Sequence, residues 1–107
     1  MSPIDDSRLS LVYSDAFLEW RRALRDLRAL ARIAVRLDRL ENGHWGDAKS
    51  VGDEVIELRL HFGPGYRLYV TQRGRRVVVL LIGGDKSSQS RDIVMAKRLA
   101  REIDDAS

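Results

Sequence analysis

A chain of 107 residues with 44% hydrophobic and 33% charged side chains supports one domain, residues 1–107, and is too apolar to stay unfolded. No cysteine and only two histidines, His44 and His61, exclude disulfides, thiol catalysis and Cys-based or multi-histidine metal cages. The net charge of +3 hides two basic segments; with no bilayer-length apolar run and no signal-peptide layout in Met1–Asp6, the expectation is a cytoplasmic domain without membrane contact or cofactor.

Residues 8–13 alternate polar and apolar side chains and read as a short strand. Ser14 is placed to cap a helix that starts at Asp15, whose charge suits a helix N-terminus. From Phe17 to Leu40 apolar residues recur at helical spacing with no Gly or Pro. That spacing fits one helix or two. A single rod of about 26 residues would run about 39 Å, long for so small a domain. Asp26 can cap a second helix, so a helical hairpin broken near Arg25-Asp26 is favoured, ending at Asn42-Gly43. Residues 20–40 carry seven arginines against Asp26 and Asp38. Residues 44–53 form a loop with at most a short strand around Ala48–Val51. Trp20 and Trp45 read as core and loop anchors.

Period-two patterning follows. In 54–62, Ile56, Leu58, Leu60 and Phe62 share one face, and Glu57, Arg59 and His61 the other. In 66–73, Tyr66, Leu68 and Val70 oppose Arg67, Tyr69 and Thr71. Gly63-Pro64-Gly65 is turn chemistry. A two-residue turn would set Arg59 opposite Val70 and mix both faces, whereas a three-residue turn pairs His61 with Arg67, Arg59 with Tyr69 and Leu60 with Leu68. Because a one-residue slip flips a strand, the three-residue turn is expected.

A tight turn near Gly74 leads into Val77–Ile82, six apolar residues suited to a central strand with both faces covered. Gly83-Gly84-Asp85 breaks it, but its spacing fails the nucleotide-binding glycine pattern. Ser87 or Ser88 is expected to cap a last helix with the stripe Ile93, Ala96, Leu99, Ala100 and Ile103. The order is β-α-α-β-β-β-β-α, an α+β fold with helices on one face of an antiparallel sheet.

On this register Arg59, His61, Arg67 and Tyr69 form one patch on the sheet face away from the core, with Lys86 at its rim. The residues 59–76 hold five arginines and no acid. Two guanidiniums this close repel unless an anion lies between them, and phosphate accepts their forked hydrogen bonds. An adjacent aromatic ring offers a surface for an unpaired base. Lys49, Tyr69, Arg73, Arg75 and Arg76 complete the expected nucleic-acid-binding set, and Arg59, His61, Arg67 and Lys86 the catalytic one. The competing reading is a polar sheet face open to water.

The runs Glu57-Leu58-Arg59, Gly63-Pro64-Gly65-Tyr66-Arg67-Leu68-Tyr69 and Leu80-Leu81-Ile82-Gly83-Gly84-Asp85-Lys86-Ser87-Ser88-Gln89, with Arg39-Leu40-Glu41-Asn42-Gly43 and Gly46-Asp47-Ala48-Lys49 upstream, resemble the phage-derived addiction module killer branch of the RelE/ParE toxin superfamily, which includes HigB-like toxins. The resemblance covers residues 10–103. It implies a RelE/ParE-like fold and a type II toxin neutralised by an antitoxin from an adjacent gene, typically a helix-turn-helix protein, in a higher-order toxin–antitoxin complex. RelE-like members are ribosome-associated mRNA endonucleases, acting on mRNA and ribosome; ParE-like members poison DNA gyrase and leave RNA intact. By motif position Arg67 matches the strand arginine that the nucleases place on the scissile phosphate, and Arg59 lies near their basic strand residues. Where RelE-like members have a basic residue and a tyrosine near the C-terminus, this chain has Lys86 and Arg91 and no tyrosine after Tyr69.

Overall fold

The side chain of Ser14 accepts the Phe17 amide at 3.0 Å and opens α1, Asp15–Ala23. The carboxylate of Asp26 accepts the Arg28 and Ala29 amides at 3.0 and 3.2 Å and opens α2, Leu27–Glu41, so the helical pattern divides where a capping side chain occurs. Gly43, with φ 87°, turns the chain out of α2. A computed structural model describes residues 8–106; the Met1–Asp6 segment read above for a targeting signal lies outside the described residues. Among the described residues no helix is long and apolar enough to cross a membrane.

Five strands follow from the extended segments: β1 Ser10–Tyr13, β2 Ala48–Gly52, β3 Val55–Arg59, β4 Arg67–Arg73 and β5 Val77–Gly84. They form one sheet in the order β1-β5-β4-β3-β2. The expected antiparallel sheet is corrected to a mixed one, because β1 lies parallel to β5 while the other pairs are antiparallel. Residues 53 and 54 join β2 to β3 in a two-residue turn, both with left-handed φ (53° and 63°), the geometry of a type I′ hairpin.

The chain ends in α3, Gln89–Ala106, entered through a 3-10 turn over Lys86–Ser88. The expected cap at Ser87 or Ser88 is replaced by Asp85. Its carboxylate accepts both serine amides, while Ser88 returns a bond to the Asp85 amide.

Both faces of the sheet are covered, not one. On one side Phe17 of α1 and Ala29, Ile33, Leu37 and Leu40 of α2 pack with Leu58, Leu68, Val70, Val78 and Leu80. On the other, Ala96 and Ala100 of α3 close over Val55, Tyr69, Val79 and Leu81. The apolar run in β5 serves both layers, as its position between β1 and β4 requires. Tyr69 pairs with Ile82 but Val70 with Leu80, so Leu81 is an extra residue in a bulge and the alternation of β5 shifts there.

The β3–β4 register also departs from expectation. Arg59 pairs with Arg67, Glu57 with Tyr69 and Leu58 with Leu68, and the Leu60 amide reaches the Tyr66 carbonyl at 2.9 Å. The connection is therefore a five-residue loop, 61–65, rather than a three-residue turn. The two registers differ by an even step, which keeps every residue on its face but changes every partner. His61 leaves the strand and joins the loop.

Candidate functional site

The pairing of Arg59 with Arg67 sets two guanidinium stems side by side at one end of β3 and β4, about 4.5–5.5 Å apart at Cβ. Glu57 lies one turn of the pleat deeper on the same face, 1% exposed. Its Oε1 is 3.5 Å from Arg59 Nε and its Oε2 3.7 Å from Arg67 Nε. One carboxylate thus stands between two guanidiniums and leaves the pair with an excess positive charge. Neither Nε makes a hydrogen bond, so both are held by the longer-range charge attraction alone.

Two neutral donors fix the buried Glu57 carboxyl in place. Gln89 Nε2, from the first residue of α3, donates to Oε2 at 2.9 Å, and the Tyr69 hydroxyl donates to the same oxygen at 3.2 Å. Burial, and then the Glu57 charge, push the Tyr69 phenol far above its ordinary range, so it stays protonated. Tyr69 is fully buried under α3 and shows no ring face to a base; its expected place in a nucleic-acid surface is corrected to a donor inside the sheet.

The outer edge of the pair meets the 61–65 loop. Arg67 Nη1 donates to the Gly65 carbonyl at 2.5 Å. Gly65 has φ 79°, and a Cβ there would sit 2.9 Å from that same nitrogen, so glycine alone lets the loop close over Arg67. The Lys86 amide reaches the Pro64 carbonyl at 3.4 Å, which places its exposed side chain beside this loop. Arg59, Arg67 and Lys86 are therefore gathered as expected, with Arg67 mostly enclosed and Arg59 one-third exposed.

His61 stands apart on the loop, exposed, with Nε2 2.5 Å from Asp47 Oδ2. This bond is the first cause that holds the Asp47 carboxyl below its usual range; nearby Arg59 adds to it and desolvation opposes it. Asp47 is positioned by Arg36 of α2, which donates to the carbonyls of Arg59 (2.6 Å), Trp45 (2.9 Å) and Asp47 (2.8 Å). Burial lowers the Arg36 pKa, and the approach of three carbonyls requires Gly46, at φ 66°, where a Cβ would lie 3.0 Å from the guanidinium. Arg36, Asp47 and Gln89 were not singled out from the sequence. The only hint of Arg36 is its position one turn after Arg32 on a basic helix face.

Of the remaining expected residues, Lys49 shares the face of the pair from the neighbouring strand, whereas Arg73, Arg75 and Arg76 do not join. Lys49 is exposed on β2, opposite Glu57 in the register. Arg73 clamps β4 to α3 through Asp104 at 2.9 Å and the Ala100 carbonyl at 3.3 Å, with Glu54 at 3.5 Å. Arg75 and Arg76 lie in the β4–β5 turn, about 20 Å from Arg67 along the strand. The acid-free segment is thus split between the two ends of β4.

Beside Arg59 opens a cleft of about 440 Å³ between α2 and the 61–65 loop, lined among others by Arg32, Val35, Arg39, Asp47, His61 and Phe62. The Arg32 guanidinium lies 4.4 Å from the Phe62 ring centroid. Among the described residues no group of three or more His, Asp or Glu is placed to hold a metal ion.

No family model matches the chain, and no solved structure matches it. A protein of Haemophilus influenzae called only "Uncharacterized protein" is 48% identical over 87 residues, 81% of this chain and 88% of that one. At that identity and coverage, this chain belongs to the same family as the uncharacterized Haemophilus influenzae protein.

Proposed function

We propose that this protein is the toxin of a type II toxin–antitoxin pair, of RelE/ParE type, and that it cleaves mRNA at the ribosome by a reaction that needs no metal. The observation that carries the reading is the Arg59–Arg67 pair, two guanidiniums around one buried carboxylate with Lys86 at the rim. The GPGYR and GGDKSSQ runs, which carry the resemblance to the toxin superfamily, contribute Arg67 and Lys86 to that same end of the sheet.

The chemistry uses only the substrate and side chains. The ribose 2′-oxygen attacks its own phosphorus as a base takes the hydroxyl proton. The P–O5′ bond breaks as an acid supplies a proton to the leaving oxygen, which gives a 2′,3′-cyclic phosphate and a 5′-hydroxyl end. Arg67 and Arg59 hold the phosphate oxygens, where charge grows in the transition state. His61, whose ring is oriented by Asp47, is assigned the proton transfers, with Lys86 as the alternative acid. A helix-turn-helix antitoxin is the expected partner.

Primer extension on RNA from cells expressing the protein tests the reading. New ends inside codons, lost in Arg67→Ala, are expected. Intact RNA together with DNA-damage signalling would replace the nuclease by a gyrase poison.

A further inference from the structure

The cleft beside Arg59 shares Asp47, Arg59 and His61 with the reaction proposed above, but its α2 wall, with Arg32, Val35 and Arg39, and its Phe62 take no part in that reaction. Arg32 and Arg39, both exposed, lie on one face of α2, seven residues and about 10.5 Å apart. Among the described residues neither has an ion-pair partner. The one carboxylate lining the cleft, Asp47, is already engaged by His61 at 2.5 Å and Arg59 at 3.9 Å. The floor carries half-exposed Val35, and the wall is Phe62 with the Arg32 guanidinium over its ring.

Forked cations over an apolar floor, next to an aromatic wall, match the needs of a nucleotide: phosphate oxygens take the guanidinium edges and a base takes the flat surface. A volume of about 440 Å³ is within the range of small-ligand pockets. Arg59 lines this cleft and also belongs to the arginine pair, so the two sites adjoin at this residue.

We propose that this cleft is a second subsite, which holds a nucleotide flanking the scissile phosphate of a single-stranded RNA, with Arg32 and Arg39 on successive phosphates and the Arg32–Phe62 stack under the base. The inference rests on the arginine pair being an RNA site. It differs from an acidic-peptide groove in requiring the stack as well as the charge.

The test uses the full chain and a fluorescent oligoribonucleotide of roughly 12 nucleotides, 2′-O-methylated so that it cannot be cleaved. For Arg32→Glu/Arg39→Glu, affinity is expected to fall by at least about tenfold. The slope of log affinity against log salt should fall by about 1.4, or about 0.7 for each lost phosphate contact on a single strand. Phe62→Leu should weaken binding with no change in that slope. Should the charge reversal perturb the thermal transition, Arg32→Gln/Arg39→Gln serves in its place.

Wild-type affinity and slope in these variants would overturn the subsite while leaving the arginine pair standing. If Arg67→Ala keeps full affinity while the Arg32/Arg39 variants lose it, the cleft binds RNA but the reading of the pair falls, and the cleft's place beside a scissile phosphate is overturned with it. If wild type binds a polyglutamate peptide in its place, and the same variants lose that, the cleft is a protein-docking groove and the proposal is overturned.

Discussion

Arg59 and Arg67 face each other across β3 and β4, and each directs its Nε to a different oxygen of the buried Glu57. A buried carboxylate between two cations cannot be removed without leaving them to repel at close range. Glu57→Ala is therefore expected to cost about 3 kcal/mol, the low end for breaking a buried pair, because Arg59 keeps 33% of its side chain in water. Glu57→Gln retains a hydrogen-bonding group toward Tyr69 and should cost less. Urea denaturation at neutral pH measures both, and equal midpoints for Glu57→Ala and wild type would show that the charges are not coupled.

Arg67 is the more enclosed of the pair and is fixed by Gly65. On the nuclease reading, Arg67→Ala should lower the rate by about a hundred- to a thousandfold, corresponding to about 2.7–4 kcal/mol for a lost donor to a developing oxyanion. Arg67→Lys should recover little, since an ammonium cannot both hold the Gly65 carbonyl and present a fork. Single-turnover cleavage of a short RNA, beside a folding control, separates a lost contact from a lost fold.

Asp85 gives a pH signature. Hydrogen bonds from the Ser87 hydroxyl, then from the Ser87 and Ser88 amides, hold its carboxyl below the usual range. A depressed pKa in the folded state stabilises the fold above the unfolded value near about 3.9, and that stability is lost as pH falls through the lower folded value. Asp85→Ala should cost about 1 kcal/mol at pH 7, as a lost N-cap does. The gap between mutant and wild type should close as the pH is lowered below about 4. Denaturant curves across that range provide the check; a gap independent of pH would mean the charge is not what caps α3.

Gly83 and Gly84 are demanded by packing rather than by backbone angle. A Cβ on Gly83 would run into the Trp20 indole, and one on Gly84 into the Asp92 carboxylate. Gly84→Ala is expected to destabilise by about 1–3 kcal/mol, the cost of overpacking a filled core, and Gly83→Ala by a similar amount. Differential scanning calorimetry would record the drop in midpoint.

What could be read from the residues alone follows from how local each signal is. Ser14 and Asp26 cap through amides two or three positions away, so the helical hairpin was legible. The face assignment of Arg59, Arg67, Leu58 and Leu68 needs only period two. The pairing of Arg59 with Tyr69 failed because parity is blind to a shift of two, and nothing in Gly63-Pro64-Gly65 states that Leu60 and Tyr66 will bond across the loop. The sequence puts Tyr69 and Glu57 on an open face because the expected fold stacks every helix on the other side, and Gln89, which bonds Glu57, is 32 residues away. The parallel docking of β1 is likewise a matter of topology.

That docking bears on how the fold is reached. Among the described residues β1 has one neighbour in the sheet, β5, and the Ser14 hydroxyl behind it bonds to the Leu81 carbonyl, 67 positions later. During synthesis the first strand and α1 wait, without a ladder to join, until β5 has been made. So distant a closure is paid in loop entropy before any contact rewards it, which favours slow, all-or-none assembly over growth from the N-terminus.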